Sequence, residues 1–341
     1  MTVSLAEVVE ALASKRPLAH GVLHAAFTAI LRGEWTPAQA AAFATALRVT
    51  GESADAVTAG VSAMREAMVT VDHGLPLVFD TCGTGGDGHG TLNVSTIAAI
   101  VVAACGVPVA KHGNRSVSSR AGSADFLEAL GIPIALPIER HLSLLRTIGI
   151  TFLFAPAFHP ALQHVAQVRR ELGFRTVWNA LGPLCNPARA THQLIGVYSH
   201  ELLDIAANAL ATLGTTRAWV VRSEDGLDEI SPAAPTHVRV VESGTVTNNI
   251  IDAATFRLPA SPLEALRGGE AKDNAAIALE ILSGRPHPAR TAVALNAAAS
   301  LTVALGRPPP ECTDMALDAI ASGRAGELLE CWKREANREL A

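Results

Sequence analysis

The sequence predicts an α/β protein: a small all-helical N-terminal domain, residues 1–72, then a large α/β domain, residues 73–341, with a mainly parallel central sheet flanked by helices. Three observations carry this expectation. Up to the shift in composition at Asp72-His73-Gly74, the chain shows only helical periodicity and helix-start signals. From Leu77 onward, short apolar or β-branched runs alternate with helical segments, the pattern of a parallel sheet covered by helices. Between one such run and the next helix, five glycines fall from Gly83 to Gly90, so the backbone there is free to come close to a ligand.

In chain order, Ser4-Leu5-Ala6-Glu7 reads as a capping box ahead of Leu5, Val8, Val9 and Leu12 on one helical face. Thr36-Pro37-Ala38-Gln39 opens a second helix with proline at its first position, and Gly51 stops it. Ser53 opens a third, with Val57, Val61, Met64 and Met68 at helical spacing. Strands are then expected at 77–79, 107–111, 150–154, 194–198 and 218–221, and helices at 95–105, 123–130, 139–148, 160–172 and 201–213. A hairpin turns at Glu242-Ser243-Gly244 between Val238 and Ile250, and helices at 272–282, 290–305 and 314–337 close the chain. Neither an internal repeat nor a low-complexity linker interrupts it. In such sheets ligands sit beyond the carboxyl ends of the strands, where the glycine loop, Lys111 and the segment after Val221 all fall.

With 49% apolar and 17% charged residues, the chain has the composition of a folded, core-forming protein. A net charge of −5 and a single tyrosine give no electrostatic or stacking reason to expect nucleic acid or an anionic membrane as partner. The five cysteines are odd in number and never form Cys-x-x-Cys, which argues against a disulfide framework or a zinc site. Glu7 and Glu10 break any signal-peptide pattern, and the longest charge-free apolar run, 97–109, is too short to span a bilayer. A soluble, cytoplasmic protein is expected.

The chemistry concentrates in four places. The run from Asp80 to Thr96 places a glycine turn before a helix start, an arrangement that binds anions, or a plain turn. It is neither a Walker motif nor a Gly-x-Gly-x-x-Gly dinucleotide motif. Asp87, Asn93, Ser95 and Thr96 around it suit a metal-bound diphosphate and ribose hydroxyls, although Ser95 and Thr96 equally suit helix capping. Lys111-His112-Gly113-Asn114-Arg115 is unusually polar for the end of a buried strand: Lys111 and Arg115 fit phosphate, His112 and Asn114 fit a polar aromatic substrate, and the alternative is a surface turn. Asp228-Glu229 suits magnesium, a hard cation that takes a few carboxylates plus phosphates and water, or is a solvated acidic turn. Arg169-Arg170, near a helix end, either favours the dipole or clamps a substrate carboxylate.

Together these motifs resemble the anthranilate phosphoribosyltransferase family of tryptophan biosynthesis. The resemblance runs through Asp80-Thr81-Cys82-Gly83-Thr84-Gly85-Gly86-Asp87, Asn93-Val94-Ser95-Thr96, the segment from Lys111 to Ser119, and Gly122-Ser123-Ala124-Asp125. It continues through Ala155-Pro156-Ala157-Phe158-His159-Pro160, Val168-Arg169-Arg170-Glu171-Leu172-Gly173, Asn179-Ala180-Leu181-Gly182-Pro183-Leu184, Gly226-Leu227-Asp228-Glu229 and Gly268-Gly269-Glu270-Ala271, covering nearly the whole chain. Gly-Thr-Gly-Gly-Asp alone also fits pyrimidine nucleoside phosphorylases; Lys-His-Gly-Asn-Arg-Ser-Val-Ser-Ser is far more specific.

The resemblance implies transfer of phosphoribose from 5-phosphoribosyl-1-pyrophosphate (PRPP) to the amine of anthranilate, with Mg2+, in a homodimer formed through the helical domain, which helices from about 160 to 185 join. It assigns PRPP to Gly83, Gly86, Asp87, Thr91, Asn93, Val94, Ser95, Thr96, Lys111, His112, Gly113, Asn114, Arg115, Ser116, Val117, Ser118, Ser119 and Ser123. Anthranilate falls to Gly83, Asn114 and Arg169 with His112 and His159 near its way in, and magnesium to Ser95, Asp228 and Glu229. No residue is assigned as a covalent or acid–base catalyst. Trp178, Cys185 and Leu92 stand where phenylalanine, threonine and phenylalanine are usual in the family, and none removes a polar contact. Two rivals stand beside this reading: a nucleoside phosphorylase of related fold, and a non-catalytic binding protein. No fused amidotransferase fits this length, and a separate amidotransferase partner is left open.

Overall fold

The computed structural model describes residues 3–116 and 120–338. Its N-terminal helices are α1 (Leu5–Ala13), α2 (His20–Leu31), α3 (Pro37–Thr50) and α4 (Ala54–Ala67). The capping box of α3 forms as expected: Gln39 N donates to Thr36 Oγ1 (3.3 Å), Thr36 N donates to Gln39 Oε1 (2.9 Å), and Gly51 ends the helix at φ +98°. Ser53 caps α4 by accepting from Ala56 N (3.1 Å). The expected box of α1 does not form, because Ser4 makes no side-chain cap bond. Helix α2 escapes the sequence pattern altogether. It starts behind Ala19, which offers no capping oxygen, and six of its residues are buried around much of its circumference, blurring any single apolar stripe.

Strands β1 (Phe79–Gly83), β2 (Val109–Gly113), β3 (Ile150–Phe154), β4 (His192–Gly196), β5 (Arg217–Ser223), β6 (Thr236–Glu242) and β7 (Thr245–Ile251) form one sheet in the order β3-β2-β1-β4-β5-β6-β7. The pairs from β3 through β5 are parallel, and the β6–β7 hairpin adds antiparallel at the edge. Strand β1 starts two residues later and ends four residues later than the segment expected at 77–79, and β2 starts and ends two residues later than the one expected at 107–111, reaching His112 and Gly113. The cause is polar residues buried inside strands: Asp80 and Thr81 are 0% and 1% exposed, Asp80 accepting from His112 N in β2 and Thr81 donating to Ser95 O in α5, so hydropathy alone cannot find them.

The remaining helices are α5 (Val94–Ala104), α6 (Ser123–Ala129), α7 (Ile138–Thr147), α8 (Ala155–Phe158), α9 (Gln163–Leu172), α10 (Val177–Leu181), α11 (His200–Thr212), α12 (Ala271–Leu282), α13 (Arg290–Leu305), α14 (Pro309–Ala321) and α15 (Arg324–Ala336). The single helix expected at 314–337 is two helices, broken at Gly323, whose φ of +82° no helix tolerates. Successive strand residues face opposite layers. Leu194 and Val221 pack into the core that contains α5 and α13, while Ile195 and Val220 pack into the core shared by α11 and the N-terminal helices. Phe27 of α2 meets Phe43 of α3 at 5.1 Å and Trp178 of α10 at 5.4 Å, both edge-on, and Val165 and Val168 of α9 lie in the same core. Among the described residues no helix is long and apolar enough to cross a membrane.

Candidate functional site

The chain leaves β1 to pair with β2 on one side and β4 on the other, so the carboxyl end of β1 opens at a switch in strand order, with Gly83 opposite Gly196 of β4. The loop from Thr84 to Asn93 rises there and feeds α5. Gly85, Gly86, Gly88 and Gly90 all have φ between +63° and +84°, which accounts for the glycine density. Thr84 N donates to Gly196 O (2.9 Å) and Tyr198 N donates to Thr84 Oγ1 (3.1 Å), fixing the start of the loop on β4.

Asp228 and Glu229, far away in sequence, are delivered beneath this loop. Gly85 N donates to Asp228 Oδ2 (2.8 Å), and Ser95 N, in the first turn of α5, donates to Glu229 Oε1 (3.2 Å). The acidic pair is therefore no solvated turn: it meets the amides of the glycine loop and the positive end of a buried helix. Gly196 makes this possible, since a Cβ there would lie 1.5 Å from Asp228 O. Ser223 Oγ donates to Glu229 O (2.8 Å), and Asn296 of α13 grips Ile230 from both sides, accepting from its N–H (3.1 Å) and donating to its carbonyl (2.9 Å). Burial, with Asp87 nearby, pushes Asp228 up to about 7; burial, with Asp228 nearby, pushes Glu229 up to about 8.

Asp87 accepts from His89 N through Oδ1 (3.1 Å), while its Oδ2 is buried without a partner. A buried unpaired oxygen facing two crowded carboxylates fits a hard cation with oxygen ligands. Among the described residues no three His, Cys, Asp or Glu side chains converge into a closed cage.

Lys111 is 2% exposed and its Nζ donates to Thr81 O, under the same loop. Its neighbour His112 donates its N–H to Asp80 Oδ1 (3.0 Å), and burial holds Asp80 above the usual carboxylate range despite Lys111. The rings of His112 and His159 lie 5.2 Å apart, and burial pushes them down to about 3 and about 4. Both are neutral at neutral pH, and each has a buried Nε2 without a partner.

The guanidinium of Arg115 is paired with Asp125 (2.7 Å) and Glu128 (2.6 Å). Asn114 is exposed, and its carbonyl accepts from Ser123 Oγ (3.2 Å), closing the two ends of the loop on each other. Ser116 N donates to Asp125 Oδ2 (3.2 Å), while Val117, Ser118 and Ser119 lie outside the described residues. Val94 and Thr96 are buried in the first turn of α5, and Thr91 pairs with Arg267 as an isolated bridge. Ser95 and Thr96 do not cap that helix, since Asn93 holds the cap position. Arg169 sits in the last turn of α9, partly buried, and among the described residues no side chain pairs with it; burial lowers its pKa. Arg170 is exposed.

Several site-building residues carry no sequence motif. Arg175, just past the end of α9, donates through Nη2 to Gly86 O and lies 4.1 Å over the ring of Tyr198. Asn186 is buried and donates to Ala110 O (2.7 Å) behind Lys111. Asn274 and Asn296 are 1% exposed polar residues on otherwise apolar helix faces, the one signal that marks them in the sequence. A surface groove of about 490 Å³, lined in part by Pro259, Pro286, Pro288 and Leu317, contains none of the expected site residues.

Comparison with known proteins agrees with this geometry. Residues 75–326 match the α/β domain of a glycosyl transferase family, and residues 6–68 match the helical bundle domain of such a family. The anthranilate phosphoribosyltransferase of Moorella thermoacetica is 50% identical over 267 residues, 78% of this chain and 79% of that protein. The crystal structure of the anthranilate phosphoribosyltransferase of Thermus thermophilus superposes with a TM-score of 0.90 at 43% identity, covering 97% of this chain and 99% of that one. The Saccharomyces cerevisiae enzyme in complex with PRPP and Mg gives 0.89 at 30% identity, covering 97% of each chain.

Proposed function

We infer, from the premise that this chain belongs to the anthranilate phosphoribosyltransferase family, that its glycine loop and the Asp228-Glu229 turn form one donor site for PRPP and magnesium. The reaction is transfer of the phosphoribosyl group of PRPP to the amine of anthranilate, giving N-(5-phosphoribosyl)anthranilate and pyrophosphate. The bond from the anomeric carbon to the pyrophosphate oxygen breaks, the bond from the anomeric carbon to the aniline nitrogen forms, and the amine loses one proton. Positive charge builds on the sugar and negative charge on the leaving group.

The observation that carries the donor assignment is the pair of amide–carboxylate bonds, Gly85 N to Asp228 and Ser95 N to Glu229. They join the loop, the helix start and the acidic turn into one unit. Ser95, Asp228 and Glu229 would hold magnesium, which would supply charge neutralisation for the departing pyrophosphate. Free loop amides and the α5 dipole add to that stabilisation, and Lys111 supplies a fixed cation beneath them. The neutral aniline nitrogen is already nucleophilic, so no general base is required; the protein's main contribution is to hold amine and anomeric carbon together. Gly83, Asn114 and Arg169 receive anthranilate, with the desolvated guanidinium of Arg169 taking its carboxylate. The neutral pair His112 and His159 borders its path. PRPP rests on the remaining loop residues, with Ser118 and Ser119 included.

We take residues 1–72 with the helices from about 160 to 185 as the smaller domain, supported by the Phe27–Trp178 contact, and the homodimer as formed through it in the cytoplasm. The donor site is tested by replacing Asp228 and Glu229 with alanine and titrating MgCl2 in the forward reaction. The expected outcome is a loss of activity of at least about a hundredfold, in line with removal of charge stabilisation at a transferring phosphate group. A double variant with full activity and an unchanged magnesium response would put the metal elsewhere.

A further inference from the structure

Gly268-Gly269 and α12 behind it hold none of the residues assigned above, yet they are built onto the donor loop. Leu92 N donates to Leu266 O (2.8 Å), Gly268 N donates to Gly90 O (3.0 Å), and Thr91 bridges Arg267. Asn274, in the first turn of α12, is 1% exposed, and its amide is used at both ends. Gly269 N donates to Asn274 Oδ1 (2.8 Å), and Asn274 Nδ2 donates to Asn93 Oδ1 (3.0 Å). Asn93 Nδ2 in turn donates to Ala121 O (3.1 Å).

Backbone groups fix the direction of this chain at both ends. Gly269 N–H can only donate and Ala121 C=O can only accept, so each amide between them has one orientation that satisfies its neighbours. Flipping either would set two acceptors or two donors face to face. Asn93 Nδ2 carries two hydrogens and Ala121 takes one, which leaves the second for an oxygen of the donor.

We propose that Asn274 is a positioning residue of the donor site: it sets the amide orientation of Asn93 and ties the glycine loop to the far end of the loop that begins at Asn114. The proposal rests on the phosphoribosyl-transfer reading, in which Asn93 meets PRPP. It makes α12, remote from the reacting atoms, responsible for donor affinity and not for acceptor affinity.

Asn274→Asp is the discriminating variant because it keeps the shape and reverses one polarity. One carboxylate oxygen still accepts from Gly269 N, and the other confronts Asn93 Oδ1 as a second acceptor. The KM for PRPP is expected to rise about tenfold, the effect of one mispaired buried polar contact, with the KM for anthranilate unchanged at saturating PRPP. In an Asn93→Ala background the same substitution is expected to add no further rise, since the effect passes through Asn93. Asn274→Ala, which removes both bonds without adding charge, runs the same cycle should the aspartate variant fail to fold. All proteins are assayed by the fall in anthranilate fluorescence and by thermal unfolding. Additive rises in PRPP KM, or an unchanged PRPP KM in both Asn274 variants, would overturn the proposal while an active wild type left the phosphoribosyl-transfer reading standing. Equal losses for both substrates with a lowered Tm would reduce Asn274 to a folding role and also overturn it. A wild type that consumed no anthranilate would overturn the reading and the proposal together.

Discussion

Asp228 and Glu229 show how burial and a ligand trade against each other at single residues. Burial and the neighbouring carboxylates make the folded protein hold their protons well above the ordinary carboxylate range in which the unfolded chain releases them. The native state therefore binds more protons between about pH 4 and 8, and metal-free stability falls as pH rises through that window. On the proposed assignment magnesium would take the place of those protons, so saturating MgCl2 should raise Tm more at about pH 8.5 than at about pH 6; an equal rise at both would contradict the assignment. His112 and His159 act in the opposite sense: their depressed values keep stability above about pH 6.5 and lose it as pH falls toward 4. Arg169→Ala should raise the KM for anthranilate at least about tenfold and that for PRPP much less, as expected for a lost charged hydrogen bond. Equal effects on both would remove its carboxylate role. Gly196→Ala, whose Cβ would collide with Asp228 O, should cost about 3 kcal/mol in urea unfolding and depress activity with it. At this scale the sequence was legible where a motif is polar and contiguous, as in Lys111 to Asn114. It gave no motif for Arg175, Asn274 or Asn296, because each has a partner far away in sequence: Gly86 O, the Asn93 side chain and the Ile230 backbone. Arg115 was legible as a cation but not as one already spent on Asp125 and Glu128.

Among elements, the glycine loop is held on three sides. Gly196 and Tyr198 fix its start, Asp228 takes the Gly85 amide, and Arg175 holds Gly86 O from the segment that follows α9. Since α9 also carries Arg169, one short stretch touches both the expected acceptor residue and the donor loop. Arg175→Ala should therefore raise the KM for PRPP about tenfold, with Arg175→Lys only partly rescuing it because an ammonium cannot stack flat on Tyr198. Unchanged PRPP kinetics in both variants would show the contact to be incidental. Helix α5 was readable from its apolar run and β3 from its β-branched and aromatic residues, whereas β1 and β2 were displaced by two residues or more because they carry buried polar side chains that hydropathy does not mark as strand. The break at Gly323 was missed for a related reason: an amphipathic pattern continues on either side of it, and only backbone conformation records the stop.

At the level of the whole molecule, the sheet separates two cores and the site lies at the carboxyl edge between them. One core contains α5 and α13, which support the donor loop and the acidic turn; the other joins α11 to the N-terminal helices, α9 and α10. The alternation of apolar runs made the parallel sheet legible and put the segment after Val221 at the same sheet end as the glycine loop, while the bonds from Gly85 and Ser95 to Asp228 and Glu229 came only with the structure. The central claim is that this assembly transfers phosphoribose to anthranilate. Its most direct test is the fluorescence of anthranilate mixed with the purified protein, PRPP and MgCl2. The expected result is a progressive loss of fluorescence that requires all three additions and is matched by release of pyrophosphate. Persistent fluorescence, with phosphate-dependent cleavage of thymidine or uridine by the same protein, would contradict it.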